Sequence, residues 1–100
     1  MLIYKEELLN CTGLKVLKLP YETVEEAKKN IVKIGLQYGT PHMWFNVIDK
    51  PPKAFLLACI GTGNEHPELS LDEYIGSEIV CGGAFVWHYF LVDKPDMDEK

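Results

Sequence analysis

Gly76-Ser77-Glu78-Ile79-Val80-Cys81-Gly82-Gly83-Ala84-Phe85-Val86-Trp87-His88-Tyr89-Phe90-Leu91-Val92 is the stretch whose reading decides the fold. Residues 84–92 hold a single polar side chain and are dense in β-branched and aromatic types, which suit a pleated surface. Gly82-Gly83 stands where a tight reversal needs positive φ, a conformation that glycine adopts without strain. The pattern predicts a β-hairpin whose second strand is buried on both faces.

Working backwards, residues 54–60 form another almost wholly apolar run, set off by Lys50-Pro51-Pro52-Lys53, where proline cannot donate to a ladder. Residues 42–48 are apolar on both faces and follow the turn-forming Tyr38-Gly39-Thr40-Pro41. Before that turn the period is two: Val32, Ile34, Leu36 and Tyr38 are expected on one face, Lys33, Gly35 and Gln37 on the other. Thr23-Val24-Glu25-Glu26 fits a capping box, with Val24, Ala27 and Ile31 at helical spacing, so a short helix is expected over residues 23–30. Its acids come first and its lysines last, as the helix dipole favours. Residues 2–5 and 14–19 read as strands, and residues 61–74 as irregular with a helical turn near 70–74.

The expected fold is therefore mainly β (α+β with one short helix), a small antiparallel β-sandwich or partly open barrel of 6–7 strands. One domain over residues 1–92 and a polar, frayed tail over 93–100 suit a chain of 100 residues. Strands apolar on both faces need cover, which points to a homodimer or a partner surface. No apolar run reaches the roughly 20 residues of a membrane-spanning helix. Acidic residues follow Met1 too closely for a secretory leader, so a cytoplasmic setting is expected.

Charge is unevenly spread. Residues 1–53 carry eight lysines and six acids, residues 54–100 two lysines and nine acids, and the chain has no arginine. Arginine is the usual bidentate reader of phosphates and guanine edges, so direct binding of nucleic acid is not expected. Glu65, Glu68, Asp72, Glu73 and Glu78 fall in a stretch without lysine and are the candidate partner-binding residues.

Recognisable catalytic signals are sparse. Gly61-Thr62-Gly63 looks like the start of a phosphate cradle but lacks the remaining glycines and the lysine of a P-loop. Together with Trp44, Trp87, His88 and Tyr89 it is the candidate lining of a small-molecule pocket. Trp44, Phe45, Phe55, Tyr74, Phe85, Trp87, Tyr89 and Phe90 are more simply core aromatics than a base-stacking platform. His42, His66 and His88 lack zinc-ligand spacing, so no metal site and no cofactor are expected. Cys11, Cys59 and Cys81 have no paired spacing; a nucleophile built from Cys81 and the nearby His88 lacks an orienting acid and an oxyanion hole, so no enzyme is expected.

Gly39-Thr40-Pro41-His42-Met43-Trp44, Gly61-Thr62-Gly63, Tyr74-Ile75-Gly76 and Gly82-Gly83-Ala84-Phe85-Val86-Trp87-His88 together resemble a family of small β-rich bacteriophage and prophage proteins. The resemblance covers residues 14–91 and rests on turns and core aromatics. It implies a phage accessory protein acting by binding in the cytoplasm of a bacterial host. The leading expectation is an inhibitor of a host factor, anti-CRISPR-like, whose acidic surface faces a basic nucleic-acid-binding groove. The alternative is a sponge that sequesters a nucleotide or other small signalling molecule, with a small enzyme or a virion component as less favoured readings.

Overall fold

In the computed structural model, which describes residues 1–65 and 68–93, the chain runs β1 (Ile3–Glu7), β2 (Gly13–Leu19), α1 (Val24–Asn30), β3 (Ile31–Gln37), β4 (Thr40–Asn46), β5 (Lys53–Gly61), β6 (Tyr74–Val80) and β7 (Phe85–Asp93). Short 3-10 turns at Leu71–Glu73 and Cys81–Gly83 precede β6 and β7. Two antiparallel sheets result, one ordered β1-β4-β3 and one β2-β5-β7-β6. Of the two expected architectures the sandwich is the one formed, since neither sheet closes on itself.

The core lies between the sheets. Leu17 and Leu19 of β2, Phe55, Leu57 and Cys59 of β5, and Tyr89 and Leu91 of β7 meet Met43 and Phe45 of β4 there. Ala27 of α1 and Tyr21 before it close one side of this core. Thr23 caps α1 by accepting from the Glu26 amide at 3.0 Å, which satisfies one of the unpaired donors of the first turn. At the other side β3 and β6, each a sheet edge, meet across the gap. A Cβ on Gly76, whose φ is +152°, would come within 2.7 Å of Ile34 Cδ1.

Three expectations are corrected. The period-two reading of β3 fails at Val32, where the register with β4 slips between Ile31 and Lys33. Val32 is therefore 58% exposed, and Tyr38 at 96% belongs to the turn, where it and Gly39 have φ values of 53° and 79°. Two successive positive φ angles make the two-residue hairpin turn that matches strand twist. Second, β4 is not buried on both faces: Met43 and Phe45 point inward, while His42 and Trp44 sit half-exposed outside. Third, β7 is buried on both faces only over Tyr89, Phe90 and Leu91, and Phe85 at its start is exposed.

The four-residue reversal Cys81 to Ala84 joins Val80 to Phe85, with Gly82 and Gly83 at φ 66° and 98° as their sequence requires. The expected tail over residues 93–100 lies outside the described residues except for Asp93, which ends β7 and takes an ion pair from Lys53 at 3.0 Å. Among the described residues no helix is long and apolar enough to cross a membrane.

Candidate functional site

Alternation along the strands of the four-stranded sheet sorts its side chains onto two faces. Phe55, Leu57 and Cys59 belong to the core, so Leu56, Ala58 and Ile60 point outward. The register then places Val16, Leu14, Val92, Phe90 and His88 on the same outer face. This face is apolar between Lys18 at one end and His88 at the other, and Leu14 and Val16 on its edge strand are 66% and 47% exposed.

The connection between Gly61 and Tyr74 meets this outer face at Glu68 and Leu69. Its described residues Glu68 and Leu69 form, with Leu14, Leu56, Ala58, Ile60 and Val92, a groove of about 420 Å³. The carbonyl of Asp72 accepts from Lys28 Nζ at 2.9 Å, which ties the segment to α1. Ser70 and Glu73 form a reciprocal cap on the last turn, with the Ser70 amide donating to Glu73 Oε1 at 3.2 Å.

The five candidate carboxylates are thereby given different surroundings. Glu65, Glu68 and Asp72 are exposed on the segment, whereas Glu73 is engaged in capping. Glu78 lies on β6 opposite Trp87, on the core-facing side, and is half-buried there. It stands apart from the other four.

The residues expected to line a small-molecule pocket are also divided. Gly61, Thr62, Trp87 and His88 come together at one end of the β5–β7 ladder. Thr62 Oγ1 lies 2.8 Å from His88 Nε2, and the Tyr74 hydroxyl 3.4 Å from Nδ1, so both ring nitrogens have hydroxyl partners. Trp87 covers Gly61, stacks on Phe85 at 5.8 Å and donates from Nε1 to Asn10 at 3.0 Å. Gly63 is exposed in the following turn. Tyr89 points the opposite way into the core, where its hydroxyl donates to the Leu9 carbonyl at 2.8 Å. Trp44 belongs to the other sheet, tilted against His42 at 5.9 Å with Lys5 and Lys33 as its cross-strand neighbours.

Burial pushes the Cys59 thiol up to about 11, with Cys11 nearby adding to the shift, and raises the Tyr89 hydroxyl well above its usual range. A buried thiol held protonated is a poor nucleophile. Cys81 is exposed in the β6–β7 turn, whereas His88 pairs with Ser77 further down the ladder. At ~3.3 Å per residue the two are separated by about 10 Å of strand, so the closeness expected of them is not found. Among the described residues no group of three or more His, Cys, Asp or Glu side chains is placed to hold a metal ion; His66 lies outside those residues.

The groove over the four-stranded sheet and its carboxylate-bearing roof were missed as a unit by sequence reasoning. The available signal was the alternation in β5, where Leu56, Ala58 and Ile60 are as apolar as the core positions between them.

The molecule is thus a small two-sheet antiparallel sandwich with an open apolar face under an acidic connection. Residues 3–100 match the family described as a domain of unknown function, DUF7352, and the chain belongs to that family. Comparison with curated proteins gave no match, and comparison with solved structures gave none.

Proposed function

We propose that the chain is a non-catalytic binding protein whose working surface is the acidic connection between β5 and β6 with the apolar sheet face beside it. The supporting observation is that exposed Glu65, Glu68 and Asp72 fall in residues 54–92, which contribute no lysine or arginine, and that Glu68 shares a groove with exposed Leu14 of β2, whose neighbour on that face, Val16, is exposed too. An apolar centre with a charged rim is the anatomy of a protein interface. The partner fitted to it is basic around an apolar patch, and outward carboxylates speed encounter with such a surface. In the bacteriophage setting implied by the resemblance, that partner is a host factor with a basic groove, in the bacterial cytoplasm, and the outcome of binding is inhibition.

The test compares the parent with the triple variant Glu65→Gln, Glu68→Gln, Asp72→Asn as baits in a bacterial lysate at low salt. Glu73 is left intact because it caps the last turn before β6. Proteins captured by the parent and lost with the variant are the expected outcome, with an on-rate whose salt dependence flattens in the variant. Identical capture by the two baits refutes the electrostatic reading.

A further inference from the structure

We propose that the groove between the outer face of the four-stranded sheet and Glu68-Leu69 is a binding site for an amphiphilic cation, an aliphatic chain ending in an ammonium group. Its floor and walls are the aliphatic side chains of Leu14, Leu56, Ala58, Ile60 and Val92, with Leu69 opposite. Its volume of about 420 Å³ falls within the 300–1,000 Å³ range usual for small-ligand sites. Aliphatic walls offer no stacking surface and no row of donors, which favours a chain over a ring or a sugar.

The rim sets the sign of the head group. Among the described residues Glu68 is the one charged residue lining the groove, and Thr12 adds a hydroxyl. Lys18 shares the outer face but pairs with Ala54, one same-face position beyond Val16 and its partner Leu56, and is not part of the lining. Lys28 is engaged with the Asp72 carbonyl. A carboxylate or phosphate head would therefore meet a like charge with no compensating cation among the described lining residues, whereas an ammonium meets Glu68. The groove shares Glu68 and Leu14 with the proposed partner surface but neither Glu65 nor Asp72, so ligand titration and lysate capture through those two carboxylates are read separately.

Isothermal titration and amide chemical-shift mapping with octylammonium, 1-octanol and octanoate, at low salt and below micelle formation, test the proposal. Octylammonium is expected to bind at least tenfold more tightly than octanoate and to shift the amides of Leu56, Ala58, Ile60, Leu69 and Val92. Glu68→Gln should bring octylammonium to the affinity of 1-octanol and leave 1-octanol unchanged. Ala58→Leu fills the floor and should abolish binding of both. If near-UV circular dichroism shows that variant to be misfolded, Leu69→Ser, on the connection and off the sheet, should weaken both several-fold. Equal binding of octanoate, shifts confined to other surfaces, or a folded Ala58→Leu protein that binds like the parent each overturn the site. A concentration-dependent dimer that closes the groove and excludes octylammonium does so too. None of these results bears on lysate capture through Glu65 and Asp72.

Discussion

Replacing Gly76 by alanine tests how the two sheet edges fit together. The new Cβ would lie 2.7 Å from Ile34 Cδ1, closer than real carbon contacts allow, on a residue whose φ of +152° L side chains rarely adopt. Backbone strain of this kind costs about 1–3 kcal/mol. Overpacking a well-filled contact adds roughly 1–3 kcal/mol, reduced here because the clashing atom is the tip of a flexible side chain. A total near 3 kcal/mol would lower Tm by roughly 12–24 °C at about 4–8 °C per kcal/mol for a domain of this size. The steric part can be isolated, because Ile34→Val deletes the δ methyl and leaves the next contact, Cγ1 at 3.6 Å, within ordinary van der Waals range. Ile34→Val alone should cost about 1 kcal/mol. In the Gly76→Ala background it should cost nothing or stabilise, giving a favourable coupling of about 1 kcal/mol or more. Urea unfolding of the four proteins reads this directly. A coupling near zero, or a Gly76→Ala protein as stable as the parent, would refute the proposed fit between β3 and β6.

Tyr89→Phe should destabilise by about 1–2 kcal/mol in chemical unfolding, because the half-buried Leu9 carbonyl loses the hydroxyl that donates to it at 2.8 Å. Trp87→Ala should cost roughly 2 kcal/mol, less than a fully buried tryptophan, because the ring is half-exposed and its Asn10 hydrogen bond lies at the surface; unchanged stability would show that the stack on Phe85 does nothing for the fold. Burial, reinforced by Glu26, pushes the Tyr21 hydroxyl up to about 12 from 10, so the folded state prefers it neutral. That contribution is complete below pH 10 and is lost as pH rises through 12, at up to about 1.4 kcal/mol per pH unit. Urea midpoints should therefore fall between pH 10 and 11.5, and less steeply in Tyr21→Phe; a flat profile in the parent refutes the burial of that hydroxyl.

Much of the fold was legible because strong local signals agreed with the tertiary outcome. Thr23 and the acids behind it start α1 where the capping pattern says, and Gly82-Gly83 turns the β6–β7 hairpin. What was not legible depends on long-range placement. Nothing in Val32 announces a bulge; its exposure follows from how β3 slips against β4. Trp44 and Trp87 look alike in sequence and end on different sheets, since pairing order, not composition, assigns them. The carboxylates were visible as a charge cluster. Their separation into exposed Glu65 and Asp72, a groove-lining Glu68, a capping Glu73 and a core-facing Glu78 required the tertiary placement of the chain against the sheet.

The order of strands in the larger sheet also fixes when the protein can become itself during synthesis. β2 is made early but bonds only to β5, and β5 bonds on its other side to β7, which is complete only at Asp93. Two local hairpins, β3–β4 and β6–β7, can close as they emerge; the remaining pairings span long stretches of chain, and such topologies fold on the slow side, in milliseconds to seconds. Until β5 arrives, β2 waits with Leu14, Val16, Leu17 and Leu19 uncovered and both backbone edges open. Lys15 and Lys18, interleaved with those leucines and valine, put charge within that strand, the kind of placement that disfavours pairing between exposed strands of neighbouring chains.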